Sequence, residues 1–178
     1  MHDIAEELAK YHQLTGADFV RQLKYIVSFG EFQLIEDGIF SVGGETNEDY
    51  DNLLNAARKA VSHGFQVYIL PNPKGIRTAD FIFVQKGIYK MYDLKTIQGG
   101  KSVDNRLTDS FGQSNRVLLN LVASYSPSTL ARSIKHFFEH NPFAIEVLIF
   151  KGKKSISVIR EDTLGPLYFK YFVTKYIK

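Results

Sequence analysis

The segment from Ala79 to Thr96 constrains this chain more than any other part of it. Two runs, ADFIFVQ and IYKMYDLKT, are rich in β-branched and aromatic residues and flank the dipeptide Lys86-Gly87. Such an arrangement predicts a hairpin with a two-residue loop. The loop fixes the register: Gln85 stands opposite Ile88, and counting outward sets Asp80 opposite Asp93. Directly opposed residues share a face, with Cβ atoms about 4.5–5.5 Å apart. Lys95, two residues after Asp93, points to the same face. The remainder of that face is Ile82, Val84, Tyr89 and Met91. The other face is Phe81, Phe83, Ile88, Tyr92 and Leu94. Both faces are apolar, so the hairpin is expected to be covered on both sides.

Opposed carboxylates destabilise a hairpin unless something compensates them. Lys95, a metal ion or a shared proton could do so. Partly buried acids in such a group have split pKa values, which suits acid/base or metal chemistry. A purely structural reading stands beside this one. Asp80 could cap the strand in an Asx-turn, and Asp93 with Lys95 could be a same-face ion pair.

Around this hairpin the periodicity predicts an α+β fold. Residues 1–45 read as an N-terminal helical extension, with Ile4, Leu8, Tyr11, Phe19, Leu23, Ile26 and Val27 at helical spacing. Residues 46–178 read as one α+β unit. Thr46 and Asp49 open a helix that Gly64 closes. Strands follow at 65–70, 79–85 and 88–96. A helix over 102–122 carries Val103, Leu107, Phe111, Ser114, Val117, Leu118 and Leu121 inward, and a second helix spans 128–140. Strands at 145–150 and 155–160 flank Lys151-Gly152-Lys153-Lys154, and a last helix over 163–177 turns Leu167, Tyr171 and Phe172 inward. The expected architecture is a mostly antiparallel sheet of about five strands with helices packed on it.

On the 102–122 helix, Arg106 and Gln113 lie seven residues apart and so share a side. From there they could lean over the acidic end of the hairpin. A guanidinium holds a phosphate bidentately, and an amide orients a phosphate or a base. Lys74, Arg77, Lys86, Lys90 and Lys101 surround the unit, interleaved with Tyr89 and Tyr92, and Arg116 lies further along the helix. Together they would suit a nucleic-acid groove with stacking rings. The alternative is ordinary solubilising lysines and packed tyrosines.

Composition narrows the remaining classes. The chain has 178 residues, a net charge of +3 and no cysteine. The charge permits a nucleic-acid partner without demanding one. The missing cysteines exclude disulfides, thiolate metal sites and thiol nucleophiles. No apolar run reaches the roughly 20 residues that span a bilayer. The start, MHDIAEELAK, is too polar for a secretion signal, so a cytoplasmic location and no membrane partner are expected. His136 and His140 are the one histidine pair at helical spacing, and they lack an HExxH context. No phosphate-binding loop or nucleophile elbow occurs.

The run ADFIFVQKGIYKMYDLKT, followed by RLTDSFGQSNRVLLNL, resembles the C-terminal nuclease domains of CdiA-type contact-dependent toxins. That group belongs to the barnase/EndoU/colicin/RelE-like nucleases of polymorphic toxins and mobile elements. Upstream, NAARKAVSHGFQVYILP resembles the helix and first strand that precede the motif. The similarity covers about residues 50 to 150. Its matching positions are Asp80, Asp93, Lys95, Thr96, Arg106 and Gln113. The resemblance implies an endonuclease that cuts RNA, often tRNA, without a metal or other cofactor, by attack of the ribose 2′-hydroxyl on the adjacent phosphate. It implies that Lys95 and Arg106 stabilise the phosphorane and that Asp93 acts as base or positions Lys95. Thr96 and Gln113 would hold the substrate. No histidine falls within the motif, which leaves the proton donor unassigned. An intracellular nuclease would also need an inhibitor or immunity protein.

The same residues are similar to the PD-(D/E)xK nuclease signature. There Asp80 and Asp93 would hold Mg²⁺, Lys95 would orient the attacking water, and Glu48 or Glu45 would complete the site. A third class is a non-catalytic nucleic-acid or protein-binding module whose acids serve structure alone.

Overall fold

The computed structural model describes residues 17–29, 32–42, 48–71, 78–98, 103–110 and 114–178. Two turns set the layout of the first part. Lys86 and Gly87 have φ of 51° and 74°, so both central residues of that turn are left-handed. This is the two-residue geometry whose twist matches paired strands. Asp37-Gly38 makes the other turn, with Gly38 at φ 76°. A Cβ at Gly38 would come within 3.0 Å of Val61 Cγ2, so glycine is required there for space as well as conformation.

In chain order the first elements are α1 (Ala17–Phe29), β1 (Gln33–Glu36), β2 (Ile39–Ser41), α2 (Glu48–Ser62), β3 (Gln66–Ile69), β4 (Phe81–Gln85) and β5 (Ile88–Ile97). Then come α3 (Val103–Thr108), β6 (Arg116–Leu121), α4 (Pro127–His140), β7 (Glu146–Lys151), β8 (Lys154–Ile159), α5 (Arg160–Leu164) and α6 (Tyr168–Ile177). The eight strands form one mixed sheet in sequential order. The chain divides into two compact units, residues 1–94 with 112–114, and residues 95–111 with 115–178.

In the first unit β1–β2, β3–β4 and β4–β5 pair antiparallel, while β2 and β3 run parallel. Parallel neighbours need a long crossover, and α2 supplies it. Its Ala56, Ala57 and Ala60 are fully buried. One face of the hairpin holds Ile82 and Met91, packed with Leu70, Ala79 and α1 residues Leu23 and Ile26. The other face holds Phe81, Phe83 and Tyr92, with Phe65 against Phe83 at a ring separation of 5.2 Å. The hairpin is therefore covered on both sides, as its apolar faces require.

In the second unit β6 and β7 are parallel, joined through α4, and β8 returns antiparallel to β7. Ser126 caps α4 by accepting the Thr129 N–H, and Pro127 occupies its first turn. Leu130, Ala131, Ile134, Phe137 and Phe138 of α4 meet Val117, Leu119, Val147 and Ile149 of the sheet, with Tyr168, Phe172 and Tyr176 from α6. Arg160 ties the end of α4 to the next loop. Its guanidinium donates to the carbonyls of Phe138, Asn141 and Ala144. Tyr168 donates its hydroxyl to the Ala131 carbonyl at 2.7 Å, and Tyr176 to that of Tyr125 at 2.8 Å. Burial raises the pKa of both phenols, and the nearby charge of Asp162 adds to the effect at Tyr168.

The α+β class stands, but about five antiparallel strands is a correction: the sheet is mixed and has eight. The helical extension gives way after Phe29 to the β1–β2 hairpin. The helix over 102–122 is also corrected. It stops at Thr108, and Arg116–Leu121 is a strand buried on both faces. A run such as RVLLNL lacks the period-2 alternation that marks a half-exposed strand. The last helix breaks at Gly165-Pro166, leaving Leu167 and Tyr171 exposed and Phe172 buried.

Two stability measurements follow. Gly38→Ala should lower unfolding free energy by about 1–2 kcal/mol through left-handed strain, read as a lower denaturant midpoint. The raised tyrosines hold protons more tightly when folded. Their stabilisation is complete below the ordinary value of 10.0 and is lost as pH rises above it. The midpoint of the wild type should therefore fall above about pH 10. Tyr168→Phe should flatten that fall while costing about 1 kcal/mol at pH 7 through its lost hydrogen bond.

Candidate active site

The hairpin register is the one its turn dictates: Gln85 pairs with Ile88 and Phe81 with Tyr92. Beyond Phe81 the ladder changes. Asp80 donates its N–H to the Tyr92 carbonyl at 3.0 Å and accepts the Leu70 N–H at 2.9 Å. Its carboxylate Oδ2 accepts the Leu94 N–H at 2.7 Å. Asp80 thus closes the end of the hairpin by bonding across to the β5 backbone, and it does so with its side chain as well as its main chain.

Asp93 is 1% exposed. Strand alternation puts it on the face of Ile82 and Met91, under α1. A carboxylate so deeply buried is costly unless hydrogen bonds or opposite charge surround it, and its position favours an orienting role over direct contact with a bulky substrate. Ser114 also converges on β5 in this unit, donating its hydroxyl to the Met91 carbonyl at 2.9 Å.

In the second unit, Lys95 and Thr96 lie near the end of β5. Lys95 is half-buried and Thr96 is buried. Arg106, from the short α3, sends Nη2 to the Thr96 carbonyl at 3.3 Å. Its Nε is buried and has no acceptor among the described residues. A guanidinium carries five N–H donors in a fixed fork, so Arg106 keeps capacity for a further acceptor. Arg116 is placed differently. It stands on β6 with Nη1 2.7 Å from Glu146 Oε1, while Ser157 donates to Glu146 Oε2 at 2.6 Å. That buried pair fastens β6 to β7 and β8.

The structure therefore brings Asp80 onto the backbone of Leu94 and Arg106 onto that of Thr96. Arg106 and Gln113 do not share a long helix, since α3 ends first. Gln113, Lys74, Arg77, Lys101 and Glu45 lie outside the described residues, and Glu48 opens α2. Among the described residues no group of three His, Cys, Asp or Glu side chains could hold a metal ion. For Mg²⁺ the candidate donors among the described residues are Asp80, with one oxygen already bonded to an amide, and the buried Asp93. This is a thin set for a cation that prefers six oxygen ligands. His140 Nδ1 lies 3.0 Å from the His136 carbonyl, a contact within the last turn of α4. No described helix is long and apolar enough to cross a membrane. Ser114, expected on the inward stripe of the 102–122 helix, lies beyond the end of α3 and bonds β5 instead, which depends on where the chain returns to that strand.

No protein-family model and no curated protein matches this chain. A solved chain from the CdiA-CT/CdiI toxin and immunity complex of Burkholderia pseudomallei is similar in structure. The two are 16% identical, with a TM-score of 0.46, and the match covers 66% of this chain and 92% of that one. Similarity of that degree carries no function across.

The hairpin closure makes its own prediction. Asp80→Ala removes the acceptor for the Leu94 N–H and should cost about 1–3 kcal/mol in chemical denaturation. Asp80→Asn keeps a carbonyl oxygen there and should cost less. Equal losses for the two variants would mean that the charge of Asp80, rather than its hydrogen bond, holds this end of the hairpin.

Proposed function

We propose that this chain is a toxin-type nuclease that cuts RNA by attack of a ribose 2′-hydroxyl on the adjacent phosphate, without a metal. The observation that carries the reading is the guanidinium of Arg106. It is anchored by one nitrogen to the Thr96 carbonyl and holds a buried Nε without an acceptor among the described residues. Lys95 is the neighbour of Thr96 in sequence, so a second cation stands one residue from that anchor.

In this mechanism the 2′-oxygen bonds to phosphorus, its proton passes to a base, and the 5′-oxygen leaves with a proton. The products are a 2′,3′-cyclic phosphate and a 5′-hydroxyl. Negative charge grows on the non-bridging oxygens, and Lys95 and Arg106 stabilise it. Thr96 and Gln113 hold the substrate. Asp93, being buried, acts as a positioning residue for the strand that bears Lys95 and Thr96. Lys74, Arg77 and Lys101 are assigned to the substrate backbone. Such an enzyme requires an inhibitor protein in any cell that makes it.

The test is cleavage of total RNA and of plasmid DNA, with Mg²⁺ and with EDTA. RNA cleavage should survive EDTA, leave cyclic phosphate ends, and fall at least about 100-fold in Lys95→Ala and in Arg106→Ala. Cleavage only with Mg²⁺ would transfer the chemistry to Asp80 and Asp93. Binding of RNA without cleavage of either substrate would make the chain a binding module.

A further inference from the structure

The charge of this chain is unevenly divided. The second unit holds 13 of the 22 Lys+Arg and six of the 19 Asp+Glu, a net of +7; the first keeps nine and 13, a net of −4. The excess gathers at the end of the chain. Residues 151–178 contain seven basic and two acidic side chains. Of the basic ones, only Arg160 spends its guanidinium on three backbone carbonyls.

The lysines converge on one place. Lys151 Nζ and Lys154 Nζ lie 3.1 and 3.0 Å from the same acceptor, the Tyr176 carbonyl near the end of α6. Lys151 also sits 3.6 Å above the Tyr176 ring. Two ammonium groups on one oxygen repel each other, and the negative end of the helix dipole offsets only part of that. Lys175 lies on the same helix, and Lys178 directly follows its end. Tyr171, Lys175 and Lys178 are four and three residues apart, so they share a helix face.

Beside this cluster lies a groove of about 170 Å³ between β8 and α6. Its walls include Tyr168, Tyr171, Phe172 and Lys175, with Asp162 and the backbone of β8 at the polar side. Strand β8 ends the sheet order, so its outer edge has no strand partner among the described residues. Tyr171 is 59% exposed, so its ring is open to a stacking partner. One carboxylate oxygen of Asp162 accepts the Ile159 N–H, which leaves the other for a ligand donor.

We infer that this face binds single-stranded nucleic acid, with one base stacked on Tyr171 in the groove and the backbone phosphates running past Lys175 toward the β7–β8 turn. A ring-walled groove beside a row of cations is the pairing that such strands use. The acid favours a base over an anionic lipid, because Asp162 accepts from base N–H groups and repels a headgroup phosphate. The site lies within the second unit and does not depend on whether the chain cleaves RNA.

The test uses the full chain and a 2′-O-methyl RNA 12-mer, which 2′-hydroxyl attack cannot cut. Binding is read by fluorescence anisotropy over a series of salt concentrations. Tyr171→Ala should weaken binding about tenfold and leave the salt slope unchanged. Lys175→Ala should weaken it and reduce the slope of log K against log salt by about 0.7. Both side chains are exposed, so folding is not at stake, and circular dichroism checks it. The proposal fails if the oligonucleotide does not bind at low salt, or if neither substitution changes affinity. It fails equally if phosphatidylserine vesicles bind in a Tyr171-dependent way and the oligonucleotide does not, since that would make the face a membrane surface.

Discussion

Strand β5 is the line on which the described structure converges, and its main chain is the common partner. The Met91 carbonyl receives Ser114, the Tyr92 carbonyl receives the Asp80 amide, and the Leu94 amide bonds the Asp80 carboxylate. Further along, the Thr96 carbonyl receives Arg106 and the Ile97 carbonyl receives the Val122 amide. Buried backbone groups must be satisfied, and here side chains from distant points in sequence satisfy several of them. Of the candidate catalytic residues, Asp93, Lys95 and Thr96 are members of this strand, and Asp80 and Arg106 bond to its backbone.

The parts of this arrangement legible in the sequence were those decided locally. Lys86-Gly87 set a register that the structure keeps through Phe81 and Tyr92, because a two-residue loop leaves no freedom to slip. The α4 helix was read over 128–140, one residue short of its observed start at Pro127. What failed was decided by tertiary burial. Arg116–Leu121 is apolar on both faces, so neither period marks it, and it was absorbed into the preceding helix. That error carried Arg106 and Gln113 onto one helix side, although α3 ends at Thr108. The Asp37-Gly38 turn, a strong hairpin signal, was hidden by the helical spacing before it.

The carboxylates show the same division. Counting residues set Asp80 opposite Asp93, but the register is kept only as far as Phe81 and Tyr92, and counting could not say that Asp80 would turn its oxygen onto a backbone amide. The ladder to β5 ends at Phe81, and the Asp80 carbonyl accepts the N–H of Leu70, just past β3. The bond from the Asp80 carboxylate crosses to the next strand, whereas an Asx-turn cap would be local. Charge was read as a total of +3, which concealed the opposite signs of the two units. A sum is blind to distribution, and distribution is what a polyanion meets.

The open edge of β8 has a consequence for how copies of this chain behave together. An unpaired strand edge invites the same edge of another molecule, the first step toward a continuous cross-molecular sheet. Lys151, Lys153 and Lys154 crowd the turn at one end of this strand, so two copies approaching edge to edge would bring like charges together before any backbone bond could form. The guard is electrostatic and therefore conditional on the ionic medium, whose screening length shrinks to about 3 Å in 1 M salt. Colloidal stability and ligand access at this edge are in that sense one property, set by the same few ammonium groups.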